Sequence, residues 1–152
     1  MNISDEWLYE YSIIRYVPRP DRGESLNIGL LMMNKRRKWI KGKIYIDDDR
    51  TKNFYPLVDL HGLKAQCKLF EKNDVPSKNL PVEEKYRWLS AEKSAVIRVS
   101  PSHPGIVRRE ICEIAANIEN IKVNKRIETH SAEKIMESEF NRLFKELVLP
   151  IK

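Results

Sequence analysis

Residues Tyr11 to Met33 read YSIIRYVPRPDRGESLNIGLLMM. The stretch predicts a strand, a polar turn and a second strand. Pro18 and Pro20 close the first strand, because neither donates to a ladder. Asp21-Arg22-Gly23-Glu24 makes the turn, with Gly23 free to take a positive φ. In the second strand, Leu26 to Met33, Leu26, Ile28, Leu30 and Met32 share one face by alternation. Asn27 and Gly29 share the other with Leu31 and Met33. A glycine inside a strand marks a bulge or the close approach of a backbone or ligand.

Upstream, Met1 to Glu6 reads as a short tail or half-turn. The first strand runs from Leu8 to Val17, with Tyr9, Tyr11, Ile13 and Val17 on one side and Leu8, Ile14 and Tyr16 on the other. Such a strand is covered on both sides for part of its length. Arg15 shares the side of Ile13 and Val17, where a guanidinium needs a carboxylate or a ligand. Downstream, Lys35 to Lys38 is a hairpin tip. Trp39 to Ile46 is a third strand, with Ile40, Ile44 and Ile46 facing one way and Trp39, Lys41, Lys43 and Tyr45 facing solvent.

Asp47-Asp48-Asp49 then caps a helix start. Arg50 to Tyr55 predicts a turn of helix broken at Pro56. Leu57 to Lys72 predicts a helix with Leu57, Leu60, Leu63, Cys67 and Phe70 on one face. Val75 to Pro81 is a connector and Pro81 to Leu89 a short helix. Ala95 to Ser100 is a fourth strand that reaches back to the meander, and Ser100 to Gly105 a loop. Helical stripes follow over 106–121 and from a Thr129 or Ser131 cap to Val148. The second stripe carries Ile135, Met136, Phe140, Leu143, Phe144 and Leu147. The expected fold is α+β: one domain over 1–152, an antiparallel sheet of about four strands (a meander plus one later strand), and helices packed on it.

Hydrophobic residues make up 41% and charged residues 33% of the 152, enough for a packed core. The net charge of +6 favours an acidic protein face, a phosphorylated ligand or nucleic acid as partner. Cys67 and Cys112 lack the spacing of a zinc site or a disulfide framework. The acidic start MNISDEWLYE has no leader pattern, and Leu30 to Met33, the longest apolar run, is too short to span a bilayer. A cytoplasmic protein without membrane contact is expected.

Tyr11 to Pro18, with Arg22-Gly23-Glu24 and Asn27-Ile28-Gly29, resembles the opening signature of the bacterial domain of unknown function family 3037. Arg87-Trp88-Leu89, Ser94, Val96-Ile97 and Ser100 to Gly105 resemble its second block, and Leu143 to Val148 its C-terminal end. The resemblance implies an α+β cytoplasmic protein. Genes of that family often lie beside genes for kinases resembling the HipA toxins, which implies a kinase-like partner.

Arg15, Arg22, Glu24 and Asn27 place guanidinium forks, a carboxylate and an amide close together, suited to planar anions. The same residues can instead pair with one another to fix the turn. His103, in a Pro-flanked segment, suits a ligand contact or caps backbone groups. Asp47 to Asp49 reads as a cap, not a metal site, and His61 and His130 as structural. The sequence therefore points to a non-catalytic binding or regulatory protein without cofactor or metal. Its protein partner, acidic or kinase-like, would meet Arg15, Arg22, Glu24, Asn27 and His103. One alternative is nucleic-acid binding through Lys35, Arg36, Arg37, Lys38, Trp39, Lys41 and Lys43, cations around an aromatic. The other is a small hydrolase or transferase around Arg22, Glu24 and His103, which requires the three to converge.

Overall fold

The computed structural model of the protein describes residues 7–72, 75, 79–107 and 125–151. The opening stretch folds as β1, Leu8–Tyr16, a single turn of 3-10 helix at Pro20–Arg22, and β2, Leu26–Asn34. Gly23 closes the turn with φ 72°, the left-handed conformation expected of it. β3, Trp39–Ile44, completes the meander. Three helices follow: α1 (Asp48–Phe54), α2 (Leu60–Lys72) and α3 (Val82–Ser90). Then come β4 (Ile97–Val99), β5 (His103–Ile106) and the long α4 (Lys125–Leu147). This is the α+β architecture, with an antiparallel sheet ordered β3-β2-β1-β4.

The sheet has five strands among the described residues, one more than expected. His103–Ile106, expected as part of a loop, pairs with the first half of β1, while β4 pairs with its second half. The two act as one interrupted edge strand. Pro101 has no N–H, so the ladder cannot run straight through it. Ser100 bridges the break: its N–H donates to the Ile13 carbonyl at 2.9 Å, and its Oγ accepts from the Ile13 N–H at 2.8 Å. Ile106 belongs to this strand, and Val107 follows it outside any helix, its N–H donating to the Trp7 carbonyl at 3.2 Å; the rest of the helix expected over 106–121 lies outside the described residues, as do Met1 to Glu6 and Cys112.

The face assignment of β2 changes at its glycine. Ile14 pairs with Gly29 but Arg15 with Asn27, so Ile28 is an extra residue, a β-bulge. The bulge swaps faces. Asn27, Leu30 and Met32 look one way, and Leu26, Ile28, Leu31 and Met33 the other. A Cβ on Gly29 would stand 2.7 Å from Ile44 Cδ1 and 2.8 Å from the Lys43 carbonyl, so the close backbone approach is real as well.

Two cores lie on the two sides of the sheet. One joins Trp7, Tyr9, Leu30 and Met32 to Met136, Phe140, Leu143 and Phe144 of α4. The other joins Ile14, Tyr16, Ile28, Leu31 and Met33 to α2 and α3 through Leu63, Cys67, Phe70, Tyr86 and Leu89. The outer side of β3 faces solvent only in part: Lys43 is exposed, but Lys41 pairs with Glu137, and Lys41 and Lys43 lie 5.0 and 4.8 Å over the Phe140 and Phe144 rings of α4. Those long side chains cover aromatic surface while their ammonium groups stay wet. α2 begins at Leu60, not Leu57, because the Asp59 carboxylate accepts from the Gly62 N–H at 3.1 Å. Leu57 is thereby left outside the helix, in a turn. Thr129 and Ser131 lie inside α4, which starts earlier than either cap would place it.

Candidate functional site

The turn after β1 holds two ion pairs between residues two apart. Arg19 Nη2 meets Asp21 at 2.6 Å, and Arg22 donates to Glu24 Oε1 from Nε at 2.9 Å and from Nη2 at 2.5 Å. All four side chains are at least half exposed. Arg19 is held protonated, and Asp21 ionised, chiefly by their mutual hydrogen bonds. Opposite the turn stand the end of α1 and the α1–α2 connector; the Tyr16 ring packs edge-on to Phe54, the last residue of α1, at 6.3 Å. Between them is a groove of about 310 Å³, lined by Pro18, Arg19, Arg22 and Glu24 on one wall and Phe54, Tyr55, Pro56 and Leu57 on the other. Leu57 is 82% exposed at its rim.

The sequence-derived residues do not form one edge. Arg22 and Glu24 hold each other in the turn. Arg15 and Asn27 are cross-strand partners. The Asn27 amide, however, donates to the Leu147 carbonyl at 2.9 Å, and Arg50 reaches the Val148 carbonyl at 3.2 Å and the Asn27 carbonyl at 3.3 Å. Together they satisfy carbonyls that the end of α4 leaves open. His103 lies opposite Tyr11, ring centroids 5.3 Å apart. From Tyr11 to Tyr16, where the turn begins, β1 climbs about 17 Å. Arg22, Glu24 and His103 therefore do not converge, and a general base must reach its proton directly or through one water.

The basic tip divides in two. Lys35, Arg36 and Lys38 are exposed. Arg37 lies 4.5 Å over the Trp7 ring, Trp39 packs edge-on to Phe140 at 6.2 Å, and Lys41 and Lys43 rest on α4. The wide depression beside Trp39, about 670 Å³, is lined by Glu133 and Glu137 as well as Lys134. A phosphate backbone following the cations would meet these carboxylates. The Asp47 carboxylate accepts from the Arg50 N–H at 2.8 Å, the expected cap, and Asp48 pairs with Lys64 at 2.6 Å, which lowers its pKa.

Two polar clusters escaped the sequence reading. Glu139, 1% exposed, accepts from the Tyr9 hydroxyl at 2.9 Å and pairs with Arg142. Burial and the neighbouring carboxylate raise the Tyr9 pKa. Its signal was an acid at 139 between the apolar residues Met136 and Phe140 of one helical stripe. On the other face, the Tyr86 hydroxyl bridges Ser12 at 2.6 Å and Ser102 at 2.9 Å, and burial above all raises its pKa. The bridge ties α3 to β1 and to the break between β4 and β5. It thus joins the Tyr11–Pro18 and Ser100–Gly105 segments, which are far apart in sequence.

No helix among the described residues is long and apolar enough to cross a membrane. No curated protein and no solved structure matches the chain. One family model does, over residues 11–121, which runs from within β1 through β5 and stops short of Leu143 to Val148. With most of its length covered, from the signature strand through the interrupted edge strand, the chain belongs to the family described as Protein of unknown function (DUF3037).

Proposed function

We propose that the protein is a non-catalytic binding protein of the bacterial cytoplasm whose protein partner docks on the groove beside the Pro18–Glu24 turn. One observation carries the reading: Leu57, 82% exposed, rims a groove whose facing wall is two exposed ion pairs. An apolar anchor beside orientable charges is the composition of an interface centre and its rim. Exposed pairs of this kind add little to stability, so a partner's charges can exchange with them at small cost. A kinase resembling the HipA toxins and encoded beside this gene is the partner the family likeness nominates.

The test is co-purification of the tagged protein with the products of its neighbouring genes, then titration with the protein recovered. Leu57→Asp is expected to weaken the complex more than about tenfold, as for a central anchor, while leaving the melting temperature unchanged. A protein that stays solitary, or a complex indifferent to Leu57→Asp, rejects the groove.

Nucleic-acid binding stands as a second reading on the exposure of Lys35, Arg36 and Lys38 at one turn. With Lys41 and Lys43 engaged by α4, about three phosphate contacts are available. The logarithm of affinity should then fall with the logarithm of salt with a slope near −3. A flat salt dependence removes this reading.

A further inference from the structure

We propose that Arg15 and Arg98 form a binding site for a phosphate monoester group, on the sheet face that carries α4 and away from the groove. The two are direct partners across the β1–β4 ladder, so their side chains leave the sheet on the same side. Cβ atoms of such a pair stand about 5 Å apart, and like charges so placed repel. Asn27 faces Arg15 from the other flank, on β2, but its amide is spent on α4.

Arg19, Arg22, Arg50, Arg87, Arg98 and Arg142 each hold a carboxylate or a carbonyl. Arg15, half-buried, holds neither among the described residues. Three acids of α4 are committed elsewhere: Glu139 and Glu146 both serve Arg142, and Glu137 pairs with Lys41. Among the described residues Arg98 pairs only with Glu92, at 2.9 Å, and both are substantially exposed, at 43% and 64% of their side-chain surface. Among the described residues, a half-buried guanidinium set against a second one, with one loose carboxylate at the rim, lacks an anion.

Two forks offer more donors than the two oxygens of a carboxylate can take. The three terminal oxygens and double charge of a phosphate monoester match them better. Binding would bring the anion between the forks and release Glu92 to solvent. The site is independent of the groove: Arg15 faces α4, whereas its neighbour Tyr16 faces Phe54 and the opposite core. The phosphate can belong to a small metabolite or to a phosphorylated protein side chain.

The test is calorimetric titration of the full chain with inorganic phosphate, with O-phosphoserine, and with a phosphoserine peptide and its unphosphorylated twin. Saturable binding of the phosphorylated probes is expected. It should weaken about tenfold or more in Arg15→Gln and in Arg98→Gln, the worth of a charged hydrogen bond, and stay unchanged in Lys35→Gln, a cation remote from the site. A peptide that binds more tightly than O-phosphoserine assigns a phosphoprotein, and equal affinities assign a small phosphate. Absence of saturable binding, or Arg15→Gln binding as wild type does, overturns the proposal. Arg15→Gln removes a repelling charge and should keep the wild-type melting temperature. Should it not fold, the exposed Arg98→Gln decides the outcome alone.

Discussion

Gly42 on β3 lies against the backbone of α2, where a Cβ would overlap the Phe70 carbonyl. The obstacle is main chain, which cannot swing aside as a side chain can. Gly42→Ala is therefore expected to cost about 2 kcal/mol or more, as overpacking does, read as a lower urea midpoint with an unchanged m-value. Gly62→Ala would meet only the Asp59 side chain and should be much milder. A second residue-scale expectation concerns pH. Burial first, then the charge of Glu71, pushes the Cys67 thiol from its ordinary 9.0 up to about 12. Below pH 9 the thiol is protonated in both states and costs nothing. Above it the unfolded chain ionises first, so stability falls as pH rises until the folded thiol ionises too. Each such group contributes a slope of at most about 1.4 kcal/mol per pH unit. Tyr9 and Tyr86, also raised, add the same sign from about pH 10. In Cys67→Ala the stability curve should flatten between pH 9 and 10, while the later tyrosine-driven fall remains. An unchanged slope over that unit contradicts the assignment. Sequence legibility at this scale was uneven. Gly29 announced itself as a glycine among bulky strand residues, whereas Gly42 shares the Ile40 and Ile44 face by alternation, and nothing local says what packs against it. Its reason is a helix that the chain makes only afterwards.

Asn27 links the element scale to the question of the site. Its amide donates to the last carbonyl of α4, and Arg50 supports the same end from α1. Asn27→Ala should cost about 1 kcal/mol, a typical net hydrogen bond. Asn27→Asp should cost more although it is the same shape, because it sets a negative acceptor against a carbonyl at the negative end of a helix dipole. A residue kept only for a partner would tolerate both changes, so urea titration of the pair separates the two roles. The elements themselves were mostly legible. The meander followed from alternation, and the apolar stripe of α4 fell where the spacing put it. What periodicity could not supply was the change of face at Ile28, because an extra residue shifts the alternation without altering composition. Nor could it supply β5. His103-Pro104-Gly105 looks like a loop locally, and it becomes a strand only because Ser100 spans the ladder at Pro101 and β1 offers a free edge. The same limit applies to the turn. Arg22 and Glu24 were visible as a charged pair, but the apolar wall of the groove came from Leu57, which the sequence placed inside a helix.

At the scale of the molecule, β2 decides how the two cores relate. Leu30 and Met32 enter the core under α4, and Leu31 and Met33 enter the one under α2 and α3. All four are nearly or fully inaccessible to solvent, so alternate residues of one strand serve opposite sides. Neither core can open without freeing side chains of the strand that forms the other. The expectation of one domain over 1–152 thus becomes a statement about cooperativity: the two sides should unfold together. The molecule carries suitable reporters. Trp7 and Trp39 belong to the α4 side, and Cys67 is buried on the other. In a Cys112→Ser, Trp88→Phe background, which removes the tryptophan of α3, thiol labelling of Cys67 and tryptophan fluorescence should give the same urea midpoint, within error of far-UV circular dichroism. Removing α4-side packing by Phe140→Ala, at a cost of about 3 kcal/mol or more, should lower the thiol midpoint as far as the fluorescence midpoint, although Cys67 belongs to the opposite core. Two separated midpoints would mean that the shared strand does not couple the cores, and that the sheet supports two folding units.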